Sequence, residues 1–382
     1  MAAARARRRS VRRTLAASLT VTALVVVALI GVLSHRPTAL GGAGAALNTR
    51  IAVPATDPAL TQRSTVAAVG TAAVPRSLSG STPPHPPPPT SAPDPDDTPP
   101  AYPSGLDPYA LTGVPAGWTA STHDLTSGGL PRSYLLIRPP VQRLTSLPVV
   151  LVLHGRGLTP AAMERISNLL PLVGPAITVF PAGWGRSWNA GGCCGTAHRQ
   201  GVDDTVFLTS VVHQILDTQP DASSRHVSIV GYSNGGRMAM RMACVNSGLF
   251  SGLAAVEAVP AAPCARTVPM PTLLIDSTAD PLLTIATSGT RKTMQGYLEP
   301  TVGETVDAWR QLDGCTLAAS SQPVGLVITT RWSNCSGHGK VQYDLYQGGS
   351  HRWPVGGGTT PSAQRLISGF LFGGGSTAAS AA

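Results

Sequence analysis

From about residue 112 the chain alternates short apolar runs with longer stretches of helical periodicity. Ser133–Arg138, Pro148–Leu153, Ala176–Phe180, His226–Val230, Pro271–Ile275 and Val341–Tyr346 are rich in Val, Ile, Leu and Ala. Runs of this kind, apolar at nearly every position, predict strands covered on both faces. Between them, Pro160–Leu170, Asp203–Leu216, Asn234–Val245, Val302–Leu312 and Pro361–Phe372 space their apolar residues as helices do. Asp203 and Asp204 suit the positive end of a helix dipole. Apolar strands separated by helices predict an α/β fold, a mostly parallel sheet with helices on both faces. No internal repeat is visible.

The first hundred residues follow a different pattern. A basic run ends at Arg13, and an apolar stretch from Leu15 to Leu33 follows. Ala43-Gly44-Ala45 then offers an A-x-A cleavage site. Residues 1–36 therefore read as a signal peptide or as an uncleaved N-terminal membrane anchor, and Arg12-Arg13-Thr14-Leu15 weakly resembles a twin-arginine signal. Either way the bulk of the chain is expected outside, secreted or held at the outer face of the membrane. Residues 37–111 are rich in Pro, Ser, Thr, Ala and Gly, with Pro83-Pro84-His85-Pro86-Pro87-Pro88-Pro89 at their centre. Proline fixes φ and donates no backbone hydrogen bond, so this segment predicts a disordered, semi-rigid spacer. The folded domain is expected over 112–375, with a flexible tail at 376–382.

Charge and cysteine content change the picture in two places. Of the formal net charge of +9, seven units come from the arginines of residues 1–36, leaving +2 for the rest. The basic balance therefore belongs to targeting, and no nucleic-acid partner is expected. Six cysteines in an exported chain predict disulfides. Cys315–Cys335 and Cys244–Cys264 are the expected local pairs, with Cys193 and Cys194 left without assigned partners. A metal reading of Cys193, Cys194 and His198 lacks the usual C-x-x-C spacing, and no metal or cofactor is expected.

Candidate chemistry begins at Gly231-Tyr232-Ser233-Asn234-Gly235, the chain's single G-x-S-x-G. It joins the end of a predicted strand to the start of a predicted helix, the setting of the α/β-hydrolase nucleophile elbow. Ser233 is thus the candidate nucleophile. Its partners should follow in the order acid, then histidine. Of the histidines, only His338 and His351 lie beyond Ser233, and only His351 follows the carboxyl end of a strand, where sites on parallel sheets collect. Asp280 is the preferred acid, Asp276 the reserve and Glu257 the third choice. The oxyanion donors are expected to be the backbone N–H groups of Asn234 and of Arg156, within His154-Gly155-Arg156-Gly157. His154 is expected to orient that loop rather than act as a base.

In this order the motifs resemble the feruloyl esterase and polyhydroxybutyrate depolymerase-like group of secreted α/β hydrolases, over about residues 112–372. The resemblance is carried by Leu153-His154-Gly155, by Trp188-Asn189-Ala190-Gly191-Gly192-Cys193-Cys194-Gly195, and by Val202-Asp203-Asp204 with Phe207-Leu208. It continues through the elbow, Thr278-Ala279-Asp280 and His351 with Trp353-Pro354. Two departures stand out. Asp276-Ser277 occupies the place where His-Gly is common, and Ser350 and Arg352 flank His351. The resemblance implies hydrolysis of an ester through an acyl-enzyme, on feruloyl or acetyl polysaccharide, polyhydroxyalkanoate or a cell-envelope ester; a monomer is expected. Trp184, Trp188 and Trp353 are expected to line the acyl pocket or else to pack as core aromatics. A serine peptidase, a thioesterase, or an inactive envelope-binding relative are the alternatives on this fold.

Overall fold

A computed structural model describes residues 111, 113–140, 146–265, 268–285, 290–292, 298–316 and 320–373. The predicted leader and tail, and the spacer up to residue 110, lie outside these residues. Among the described residues no helix is long and apolar enough to cross a membrane.

The six predicted strands pair with four more into one ten-stranded sheet. In chain order its members are β1 (Thr119–Ser127), β2 (Leu130–Arg138), β3 (Leu147–Leu153), β4 (Ile177–Pro181), β5 (Ala222–Tyr232), β6 (Gly252–Val256) and β7 (Pro271–Ser277). After a separate small hairpin, β8 (Thr290–Lys292) with β9 (Leu298–Pro300), come β10 (Ser320–Val324), β11 (Val327–Trp332) and β12 (Lys340–Tyr346). The spatial order is β1-β2-β4-β3-β5-β6-β7-β12-β11-β10. The six central strands, β4 to β12, run parallel, and antiparallel pairs close both edges. This order, with a parallel core behind an antiparallel leading hairpin, is that of the α/β-hydrolase fold.

Among the described residues six α-helices accompany it: α1 (Pro160–Ser167), α2 (Gly195–Arg199), α3 (Asp204–Thr218), α4 (Asn234–Val245), α5 (Val302–Leu312) and α6 (Ala363–Phe372). Successive strand residues point to opposite faces, so each central strand feeds two cores. Val149, Leu151 and Leu153 pack with Phe207, Val211, Met238 and Trp309 from α3, α4 and α5. Val150 and Val152 pack with Met163 of α1 and with Ile367 and Phe370 of α6. Burying both faces explains why β3 and β6 are apolar along nearly their whole length.

Local chemistry sets the helix ends. Thr159 caps α1 through Ala162 N–H, with Pro160 in the first turn, and Asn168 ends it in the left-handed region at φ 45°. The helix is therefore three residues shorter than its periodicity suggested. Asp203 caps α3 by accepting from Thr205 and Val206 N–H, and Thr301 with Glu304 forms a capping box on α5.

Three disulfides are present: Cys244–Cys264 and Cys315–Cys335 as expected, and the adjacent Cys193–Cys194. With both sulfurs joined, Cys193 and Cys194 have no thiolate to offer a metal.

Candidate active site

The chain crosses from β4 back past β3 to β5, so the sheet's switch point lies between the carboxyl ends of β3 and β5. Ser233 follows β5 there. Its backbone stands at φ 54° and ψ −120°, a conformation costing about 1–3 kcal/mol that the surroundings must hold. The flanking glycines are what allow it. A Cβ at Gly231 would meet the Gly235 carbonyl oxygen at 2.1 Å, and one at Gly235 would meet the Leu153 and His154 oxygens at 2.4 and 2.5 Å. Thus the elbow closes on itself and presses against the end of β3.

Ser233 occupies the N-cap position of α4, yet its side chain makes no cap bond. Its Oγ lies 2.7 Å from His351 Nε2 instead, and His351 Nδ1 lies 2.6 Å from Asp280 Oδ2. Two consequences follow. An uncapped helix start leaves its first N–H groups without partners in the helix. And since a carboxylate can only accept, Nδ1 carries the imidazole proton, leaving Nε2 to accept from the serine hydroxyl.

The acid and the histidine arrive on loops tied to each other. Thr278 N–H donates to the Tyr346 carbonyl at 2.9 Å, and Gly348 N–H donates to Thr278 Oγ1 at 2.8 Å. Tyr232, beside the nucleophile, donates its hydroxyl to the His351 carbonyl at 2.9 Å. Asp280 is 6 % exposed, and its Oδ1 accepts from the N–H groups of Leu282 and Leu283 at 2.6 and 3.2 Å. Burial works against its charge. The hydrogen bonds from His351, Glu257 and Leu282 outweigh that cost and hold its carboxyl below the usual range.

The other acids are placed differently. Asp276 is buried and accepts from Ala258 N–H at 3.3 Å, and burial followed by the charge of Asp280 pushes it up to about 8. Glu257 directly follows β6 and lies beside Asp280; burial first, then the charge of Asp276, raises it to about 10. His338 is exposed in the turn that enters β12, at the opposite end of the sheet from Ser233.

Opposite the acid side stands the loop after β3. His154 is buried, with Nδ1 2.9 Å from the Gly155 carbonyl and Nε2 2.9 Å from the Gly183 nitrogen. Nδ1 therefore donates and Nε2 accepts. Burial, with the nearby charges of Arg132 and Arg186, lowers its pKa to about 4, so it stays neutral and orients this loop. Arg156 follows within it. Asn234 heads α4, and its side chain bonds both the N–H of Trp188 at 2.8 Å and its carbonyl at 3.0 Å.

The tryptophans correct one expectation. Trp188 is 0 % exposed, donates its indole N–H to the His154 carbonyl at 2.9 Å and stacks near His154 and Phe207. A side chain so enclosed supports the loop from beneath and cannot line an acyl pocket. Trp353 is 5 % exposed, packs edge-on against Tyr232 and borders a cavity of about 330 Å³ beside the His351 loop. Trp184 is half-buried and donates to Gln200.

One support was not foreseen. Arg132 of β2 and Asp204 of α3 form a buried ion pair at 2.7 Å, with the guanidinium over the Phe207 ring. The second oxygen of Asp204 accepts from Asn189 N–H at 2.8 Å. The adjacent acids Asp203 and Asp204 thus divide into a helix cap and an anchor for the Trp188 segment. Only the first role was legible as helix-dipole chemistry.

No family model matches the chain. A curated relative, "Putative esterase NocK" from Nocardia uniformis subsp. tsuyamanensis, is 29% identical over 273 residues, covering 65% of this chain and 78% of that protein. Among solved structures, that of a thermostable esterase superposes with a TM-score of 0.42 at 16% identity, over 62% of this chain and 56% of that one. The chain thus spans little more than half of that protein's length. Acetyl xylan esterase from Aspergillus awamori gives 0.40 at 14% identity, over 62% and 95% of the two chains. An S-formylglutathione hydrolase from Agrobacterium tumefaciens gives 0.42 at 14%, over 67% and 92%. By its strand order and by the elbow at the end of β5, the chain has the α/β-hydrolase fold, and in sequence it is similar to the esterase-named NocK.

Proposed function

We propose that the protein is a serine esterase working outside the cytoplasm. The observation that carries this reading is the continuous hydrogen-bond path from Ser233 Oγ through the His351 imidazole to the Asp280 carboxylate. As an ester carbonyl enters, the Ser233 oxygen attacks its carbon while His351 Nε2 takes the hydroxyl proton. Asp280 stays ionised and holds Nδ1–H, favouring the imidazolium that forms. The Asn234 and Arg156 N–H groups receive the negative charge on the carbonyl oxygen. Collapse of this intermediate expels the alcohol, which takes the proton from Nε2 and leaves an acyl group on Ser233. A water molecule, deprotonated by the same nitrogen, then releases the acid and restores the serine.

Feruloyl, acetyl and 3-hydroxybutyryl esters are the substrate classes implied by the sequence resemblance, and the names of NocK and of the Aspergillus enzyme agree with ester chemistry. The basic and apolar leader and the three disulfides support an exported, oxidising destination. The test is turnover of p-nitrophenyl acetate, followed by a panel of those three ester types. Wild-type protein should hydrolyse the reporter, and Ser233→Ala should lose on the order of 10³-fold or more of kcat/KM. Equal rates for the two proteins would refute the reading.

A further inference from the structure

The mechanism leaves one buried carboxyl beside the reacting groups without a task. Glu257 directly follows β6, between the ends of β5 and β7. It is 0 % exposed and holds a left-handed backbone at φ 49°. The strand ladder continues through it, its N–H donating to the Ile275 carbonyl at 2.8 Å. On one side its carboxyl accepts from the N–H and hydroxyl of Ser277. On the other it shares a hydrogen bond with Asp280. Ligand-type atoms of Glu257, Asp280 and His351 lie within 4.8 Å of one another.

Two adjoining carboxyls out of water cannot both ionise cheaply, and a hydrogen bond between them needs one proton. Which one holds it follows from the donors. Asp280 accepts from His351 Nδ1, Leu282 N–H and Leu283 N–H, so the charge belongs there. Among the described residues Glu257 accepts only from Ser277. The titratable groups that face it are Asp276 and Asp280 from β7 and its loop, Tyr232 from β5, Tyr343 and Tyr346 from β12, and His351 from the loop after β12. Of these only the imidazole of His351 can carry a positive charge, and its Nδ1 is hydrogen-bonded to Asp280.

We propose that Glu257 is a positioning residue of the triad: as a neutral acid it donates a hydrogen bond to the Asp280 carboxylate and fixes the oxygen that orients His351. This rests on the esterase reading above. A donor at this place limits how far the carboxylate can rotate, and so keeps Nδ1–H of His351 aligned. It also sets an upper pH limit. Deprotonation, with the group pushed up to about 10, replaces the donor by a second negative charge beside Asp280.

The experiment compares pH–rate profiles of wild type, Glu257→Gln and Glu257→Ala, with Ser233→Ala supplying the background rate. Glutamine keeps a neutral donor and an acceptor for Ser277, but it cannot ionise. We expect Glu257→Gln to stay within a few-fold of wild type at neutral pH and to retain activity above pH ~10, where wild type falls. Glu257→Ala should lose roughly tenfold in kcat at neutral pH, with little change in KM. Difference infrared spectra of wild type against Glu257→Gln at neutral pH should also show a protonated carboxyl band. If Glu257→Ala does not fold, the glutamine profile and the infrared band still decide. Three results would each overturn the role of Glu257 alone: a glutamine variant with the wild-type alkaline fall, one as slow as the alanine variant, or an ionised carboxylate band. An inactive wild type, or Ser233→Ala as fast as wild type, overturns the triad and this role together.

Discussion

Ser233 stands between two flanks that are held rigid by different means. On the side of β3 and β4, the loop after β3 rests on packed and paired groups. These are the neutral His154, the enclosed Trp188 and the buried Arg132–Asp204 pair. On the side of β6, β7 and β12, the carboxyls of Glu257, Asp276 and Asp280 crowd together, and burial with mutual repulsion raises Glu257 and Asp276 while hydrogen bonds lower Asp280. One flank is dominated by packing, the other by titratable groups. The two are therefore expected to respond differently to pH.

Breaking the acid flank at its reactive member gives the largest effect. His351→Ala should lower kcat on the order of 10³-fold or more at every pH, because His351 Nε2 is the base hydrogen-bonded to Ser233 Oγ. Steady-state rates with p-nitrophenyl acetate check this; a loss under tenfold would remove His351 from the chemistry. Breaking the opposite flank should act on folding. Arg132→Ala strands the Asp204 charge in the core and should cost about 3–5 kcal/mol in chemical denaturation. The shape of its pH–rate profile should stay that of wild type. A changed shape would dissolve the distinction between the flanks.

The mildest probe is Asp276→Asn. The folded carboxyl is raised to about 8, so its protonated form is the one folding favours. Wild-type stability from this group is full below the ordinary carboxylate range and is lost as pH rises toward 8. Asparagine cannot ionise. The variant should therefore gain Tm relative to wild type as pH goes from about 4 to 8 and hold that gain above it, as thermal melts across pH would show. A gain growing toward acid instead would place the charge on the opposite side of the balance.

How far the sequence could be read tracked how strongly each segment depends on burial. Helices α4 and α5 begin and end where their periodicity said, and β2, β3, β4, β5, β7 and β12 were found because they carry apolar runs. The strands β1, β10 and β11 were not. β1 reads Thr-Ala-Ser-Thr-His-Asp-Leu-Thr-Ser and β10 is exposed throughout, so backbone pairing with one neighbour holds them and no apolar alternation marks them. Within the site, chain order and the strand ends pointed to Ser233, Asp280 and His351, and these three meet. Glu257 ranked third as the acid because a linear sequence does not reveal that β6 lies between β5 and β7. Only that adjacency sets its carboxyl against Asp280. Trp188 suggested a pocket because an aromatic beside a motif looks the same whether it faces substrate or core. Arg132 carried no signal, since its partner lies 72 residues away on another element.

On the proposed mechanism His351, oriented by Asp280, makes Ser233 nucleophilic. Labelling with a fluorophosphonate, read by peptide mass spectrometry, tests it without knowledge of the natural ester. We expect a single adduct on the peptide carrying Ser233, absent from Ser233→Ala and slowed on the order of 10³-fold in His351→Ala. An adduct on another residue, or equal labelling of wild type and His351→Ala, would contradict it.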